Sequence, residues 1–125
     1  MNAISRHDVV EEWAVSGIVE AGGFVFISYC VGNPTGTMSE QVHGAVDTLE
    51  RRLSSVGLTL ADVVKVDALF ADVWELPIME EVFQERFVAG YPARKSIQTV
   101  FAHDGLRFQL DAIAARRMAP ETAAS

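Results

Sequence analysis

Three observations in the sequence predict a two-layer α+β domain, in which a β-sheet carries two helices on one face. Strand-like and helix-like segments follow one another as strands, helix, strand, helix and a closing pair of strands, and each helix has one apolar stripe that a sheet face must cover. The last strand is apolar on one side and mixed aliphatic and polar on the other, a second face unlike ordinary solvent surface. Finally, 125 residues, half of them hydrophobic, suit one core. The chain is therefore expected to be a single domain over 1–125, with the small, polar stretch 119–125 (APETAAS) as a flexible tail.

Val9 to Ala21 holds short apolar and acidic pieces broken at Ser16-Gly17, which predicts two short strands meeting at that turn. After Gly22-Gly23, Phe24 to Cys30 (FVFISYC) is β-branched and aromatic throughout, as in a strand buried on both faces. Thr37-Met38-Ser39-Glu40 is a capping box, and the stripe Met38, Val42, Ala45, Val46, Leu49, Leu53 and Val56 predicts a helix stopped by Gly57. Val63 to Phe70 alternates, with Val64, Val66, Ala68 and Phe70 on one side. A second helix begins near Pro77, carries Met79, Val82, Phe83 and Phe87, and is closed by Gly90. Ala93 to Phe101 and Leu106 to Arg116 are the closing strands, and the Asp104-Gly105 pair between them is a hairpin signal. In the last strand Phe108, Leu110, Ala112 and Ala114 face the helices, while Gln109, Asp111 and Ile113 face the other way, which suggests cover by another copy of the chain.

Charge and composition remove several function classes. Ten basic against 17 acidic residues give a net charge of -7, which repels a phosphate backbone, so no nucleic-acid partner is expected. The single cysteine, Cys30, leaves no partner for an internal disulfide or a paired-cysteine zinc site, and it reads as a small core residue. His7, His43 and His103 lack metal-ligand spacing, so no metal is expected, and they read as surface groups. Trp13 and Trp74 read as packing or interface anchors. An acidic N-terminus and the lack of an apolar run of roughly 20 residues argue against a membrane partner and for a cytoplasmic location.

Several short patterns, weak singly, fall in one order. They are Gly-Gly-Phe-Val-Phe-Ile-Ser at 22–28, Gln41 at a helix opening, Gly57-Leu58 leading to Asp62-Val63-Val64-Lys65, Asp72, Met79 and Phe87, Pro92-Ala93-Arg94, and Leu110-Asp111-Ala112-Ile113-Ala114. In this order and spacing, from about Val15 to Arg117, the chain resembles the RidA/YjgF family of reactive-intermediate deaminases, formerly also described as L-PSP-type endoribonucleases. The resemblance implies a chorismate-mutase-like fold, a homotrimer with clefts between subunits, and hydrolysis of small carboxylated enamines or imines without a cofactor. It also implies that Arg94 of Pro-Ala-Arg grips the substrate carboxylate, a task suited to a planar, permanently charged guanidinium fork. A backbone N–H carries over to Ser96, a wall position to Ser28, and a backbone contact to Tyr29, where the family commonly has glycine. Strand alternation puts Arg94, Ser96 and Gln98 on one face.

Three departures matter. Gln109 stands where the well-studied deaminase branch has a water-ordering glutamate, and an amide can hold a water but cannot take its proton near neutral pH. Asp111, two residues along the same face, could supply a carboxylate from about 7 Å away, although a structural or inter-subunit role suits it better. Val15 replaces a common tyrosine of the cleft, and the ring of Tyr29 either narrows the cleft or enters the core with Val25 and Ile27. The expected activity is thus imine or enamine deamination with Arg94 and Gln109 as the working groups and Ser28, Tyr29, Ser96 and Val15 around the substrate. A non-catalytic carboxylate binder or regulator is the alternative, and an endoribonuclease fits the acidic balance least.

Overall fold

The computed structural model describes residues 3–117, so the expected tail at 119–125 lies outside the described residues. Six strands form one mixed sheet: β1 (Ser5–Val10), β2 (Val15–Ala21), β3 (Phe24–Cys30), β4 (Val63–Phe70), β5 (Ala93–Gln98) and β6 (Phe108–Ala115). Their spatial order is β1-β2-β3-β6-β4-β5, with β4 and β5 parallel and the other pairs antiparallel. The helices α1 (Met38–Ser55) and α2 (Leu76–Arg86) carry the two long connections, and the predicted α+β class holds.

Each helix forms for reasons local to its sequence. The Thr37 backbone N–H donates to Glu40 Oε1 at 2.8 Å and Thr37 Oγ1 accepts from the Glu40 backbone N–H at 3.2 Å, closing the predicted capping box of α1. Met38, Val42, Ala45, Val46, Leu49 and Leu53 are all buried on the sheet, at roughly 1.5–3 kcal/mol for each large side chain. Gly57, at φ +80, ends the run in a conformation that glycine adopts without strain. Helix α2 has Pro77 in its first turn but stops at Arg86, short of the predicted Gly90: Phe87, at φ -94 and ψ 67, leaves helical geometry, and its ring centroid lies 4.9 Å from that of Phe83. One helix contact depends on missing side chains: a Cβ on Gly44 would lie 2.6 Å from the Gly32 carbonyl carbon, so α1 touches the loop after β3 backbone to backbone.

The core lies between helices and sheet. Phe108, Leu110, Ala112 and Ala114 of β6 are buried, as the alternation predicts, together with Val66, Ala68 and Phe70 of β4. Phe70 and Phe108 meet edge to face at 5.3 Å. Cys30 is buried among them, and desolvation pushes its thiol up to about 11, with the nearby Arg52 opposing, so it is a core residue rather than a nucleophile.

Four expectations are corrected. The first turn is a 3-10 turn, Glu11–Trp13, with Ala14 left-handed at φ 53, whereas Ser16-Gly17 lies inside β2. Gly17 is needed there because a Cβ would meet the Asp8 Cβ at 2.7 Å. Strand β3 is buried on one face only, and Phe24 and Phe26 stand out on the other. Val64 points outward at 45% exposure, because a register irregularity between Val63 and Lys65 gives the buried position to Val63. The closing strands do not form a hairpin: β5 pairs in parallel with β4, and residues 99–107 carry the chain past β4 to β6 on its other side. The composition explains this outcome, since the apolar stripe of β6 needs a central place whereas the sequence Ala-Arg-Lys-Ser-Ile-Gln suits an edge strand.

Candidate functional site

The sheet face turned away from the helices carries a cavity of about 440 Å³ lined by ten residues, which include Trp13, Val15, Tyr29, Leu69 and Gln109. The wall is completed by the 99–103 part of the connection to β6. Three of the sequence-predicted site residues, Val15, Tyr29 and Gln109, thus come together from β2, β3 and β6.

Tyr29 reaches this cavity through a bulge. Ile27 pairs with Ala112 and Cys30 with Leu110, so three steps on β3 match two on β6. The extra residue reverses the alternation, sending Cys30 rather than Tyr29 into the core, contrary to the phase shared by Val25 and Ile27. Ser28 does not line the cavity: its hydroxyl donates to the Ser16 carbonyl at 2.5 Å and ties the bulge to β2. Arg52 of α1 holds the other side, with Nη1 donating to the carbonyls of Ser28 at 3.1 Å and Tyr29 at 2.7 Å. The sequence reading missed Arg52, although its place beside Leu49 and Leu53 near the apolar stripe is the signal that could have found it.

A buried polar group was also missed as a structural element. Gln41, 1% exposed, accepts from the Arg107 backbone N–H at 2.8 Å and aims its amide at the carbonyls of Pro34, Gly36 and Gly105 at 3.3–3.4 Å. It clasps the far end of the connection whose near end forms the cavity wall.

Arg94 and Ser96 lie elsewhere. In the parallel register Arg94 sits beside the buried Val66 and Ser96 beside the buried Ala68, so both side chains share the helix-facing side of the sheet. Arg94 Nη2 is 3.3 Å from Glu80 of α2, in a separate cleft of about 260 Å³ with Phe83, Gln84, Tyr91 and Pro92. Ser96 Oγ is buried without a hydrogen-bond partner among the described residues. Gln98, on the same face, accepts from the Val73 backbone N–H. Within one chain the expected carboxylate fork and the cavity with Gln109 are therefore separated, on opposite faces of the sheet.

Asp111 does not line the cavity; it stands directly opposite Asp67 on β4, which stands beside Lys95 on β5. Lys65 Nζ is 3.1 Å from Asp67. Burial first, and then the Asp67 charge, raise the Asp111 carboxyl above its ordinary 3.8, while Lys65 and Lys95 oppose the shift. A raised folded-state value means that ionising Asp111 destabilises the fold, a penalty absent below the unfolded value and complete once pH exceeds the folded one. Asp111→Asn is accordingly expected to raise the melting temperature near neutral pH, with the gain fading as pH falls toward 3.8. Melts of both proteins across that range check it, and a gain that persists at low pH contradicts it.

His7 pairs with Glu20, and His43 lies against Arg86 and Glu85. His103 is exposed, as expected, and lies 6.2 Å between ring centroids from Trp13; both border the cavity. Trp74 is 86% exposed. Among the described residues no group of three or more His, Cys, Asp or Glu side chains could hold a metal ion, and no helix is long and apolar enough to cross a membrane.

Fold and cavity define a small α+β protein with two helices on one sheet face and a ligand-sized hollow on the other. A sequence profile of the family described as Endoribonuclease L-PSP matches residues 6–116, and the chain belongs to that family, the RidA/YjgF family. A hypothetical protein of Streptococcus pyogenes M1 GAS, a member of the yjgF family, is 51% identical, with a TM-score of 0.90 over 94% of this chain and 100% of that one. The human 2-iminobutanoate/2-iminopropanoate deaminase is 28% identical over 80 residues, 64% of this chain. That match spans 58% of the human protein's length, and a bovine protein of the same name is matched over 64% of its own. A RutC family protein of Pyrococcus abyssi is 26% identical over 79% of this chain and 84% of its own length.

Proposed function

We propose that this chain hydrolyses small carboxylate-bearing imines or enamines to keto acids and ammonia, in a cleft formed where two copies meet in a cytoplasmic homotrimer. The observation that carries the reading is the separation within one chain of Arg94 from the cavity holding Val15, Tyr29 and Gln109. A second copy that brings its edge strand β5 over the open face would supply the missing cation. Deaminase-named relatives in the same family support the chemistry.

In this reading Arg94 of one copy fixes the carboxylate through two parallel hydrogen bonds. The Ser96 backbone N–H and the backbone near Tyr29 flank the ligand. The Gln109 amide holds a water against the imine carbon; a C–O bond forms while the nitrogen gains a proton delivered through water, giving a carbinolamine. That intermediate breaks its C–N bond, releases ammonia and leaves the keto acid. An imine is already electrophilic, so positioning supplies much of the acceleration and no cofactor enters.

Gln109 favours a second reading, a binder that keeps the carboxylate site without turnover, because an amide gives no general-base help and that help is worth about 10²–10⁴-fold. Imino acids generated enzymatically, with keto acid and ammonia followed over time, separate the two. Accelerated release above the uncatalysed rate supports the deaminase, whereas saturable keto-acid binding without acceleration establishes the binder.

A further inference from the structure

We infer that the open-face cavity selects imino acids bearing an apolar side chain of aromatic size rather than the small imines named for the mammalian relatives; this rests on the deaminase reading above. The cavity's 440 Å³, open in the single chain on the face that a second copy would cover, falls among ordinary small-molecule sites, roughly 300–1,000 Å³, and has room for a ring-sized side chain. None of its ten lining residues is Asp, Glu, Lys or Arg. Rings and aliphatic groups form most of the wall, namely Trp13, Val15, Tyr29, Leu69, Phe101 and His103.

Two local features build this wall. The 3-10 turn Glu11–Trp13 is closed by Ala14 in the left-handed region, a strained conformation for a residue with a Cβ, and the turn presents Trp13. Trp13 remains 58% exposed yet tilts at 48° toward His103, so the two rings flank the cavity without filling it. The bulge at Ser28-Tyr29 turns the Tyr29 ring into the same space. Gln109 is the polar group contributed by β6, so a substrate whose imine carbon lies at its amide places its side chain among these rings.

The test compares kcat/KM for imines generated from phenylalanine and from alanine, on the wild-type protein and on Trp13→Ala. Wild type is expected to favour the phenylalanine-derived imine at least about tenfold, since each methylene in an apolar pocket is worth on the order of 10-fold or more. Trp13→Ala is expected to reduce that ratio by about tenfold. Equal rates, or a preference for the alanine-derived imine, on wild type overturn the inference and leave the deaminase reading standing. A ratio unchanged in Trp13→Ala overturns the assignment to this cavity. No acceleration of either imine, with no binding of phenylpyruvate or pyruvate by calorimetry, overturns both.

Discussion

Arg94→Ala is expected to lower kcat/KM for imine hydrolysis by about 10²–10⁴-fold, the loss that follows from removing two charge-assisted hydrogen bonds to the substrate carboxylate at roughly 1.5–3 kcal/mol each. Fold stability should change little by comparison, because Arg94 lies on the edge strand β5 and its ion-pair partner, Glu80, is partly exposed. Arg94→Lys is expected to fall between the two, since an ammonium keeps the charge but loses the planar fork. Steady-state kinetics on the three proteins check this order. Equal rates for wild type and Arg94→Ala reject the carboxylate role of Arg94 and, with it, the proposed chemistry.

Gln41→Leu is expected to cost roughly 2–4 kcal/mol of stability, because it removes the bonds that the buried amide makes to the Arg107 backbone N–H and to the carbonyls of Pro34, Gly36 and Gly105. For a domain of this size that corresponds to a fall of about 10 °C in melting temperature. The clasp joins the start of α1 to the connection before β6, so the same substitution should loosen the Thr99–His103 wall of the cavity. Thermal melts followed by circular dichroism check the stability change. A drop within about 3 °C contradicts a stabilising role for these bonds.

Elements governed by local chemistry were legible in the sequence. The Thr37–Glu40 box and the 3-and-4 spacing from Met38 to Leu53 define α1 within its own residues, and the alternation of β6 separates a buried face from a mixed one. Reading failed where the answer depended on a distant strand. Nothing near Ala93–Gln98 says that it pairs in parallel with β4, and the Asp104-Gly105 pair looks like a hairpin tip although it serves the crossing instead. That register decides the face of Arg94 and Ser96, so their separation from Gln109 was invisible before the fold was known.

The bulge in β3 shows the same limit on a smaller scale. A strict period of two gives Tyr29 the phase of Val25 and Ile27, and one extra residue reverses it. The groups that stabilise this reversal, the Ser28 hydroxyl on Ser16 and Arg52 on the bulge carbonyls, lie 12 and 23–24 residues away along the chain. By contrast Val15, Tyr29 and Gln109 were named from the family pattern, and they do converge on one cavity.

The most direct measurement concerns the division of the site between copies. Arg94→Ala protein and Gln109→Ala protein, each reduced in activity alone, are dissociated together, reassembled at equal ratio and assayed for imine hydrolysis. If the fork and the cavity come from different copies, random assembly of a trimer makes about a quarter of the seams fully wild type, and activity should rise to about that fraction. Activity that stays at the mean of the two variants, or a mass in solution equal to one chain, would contradict a shared site.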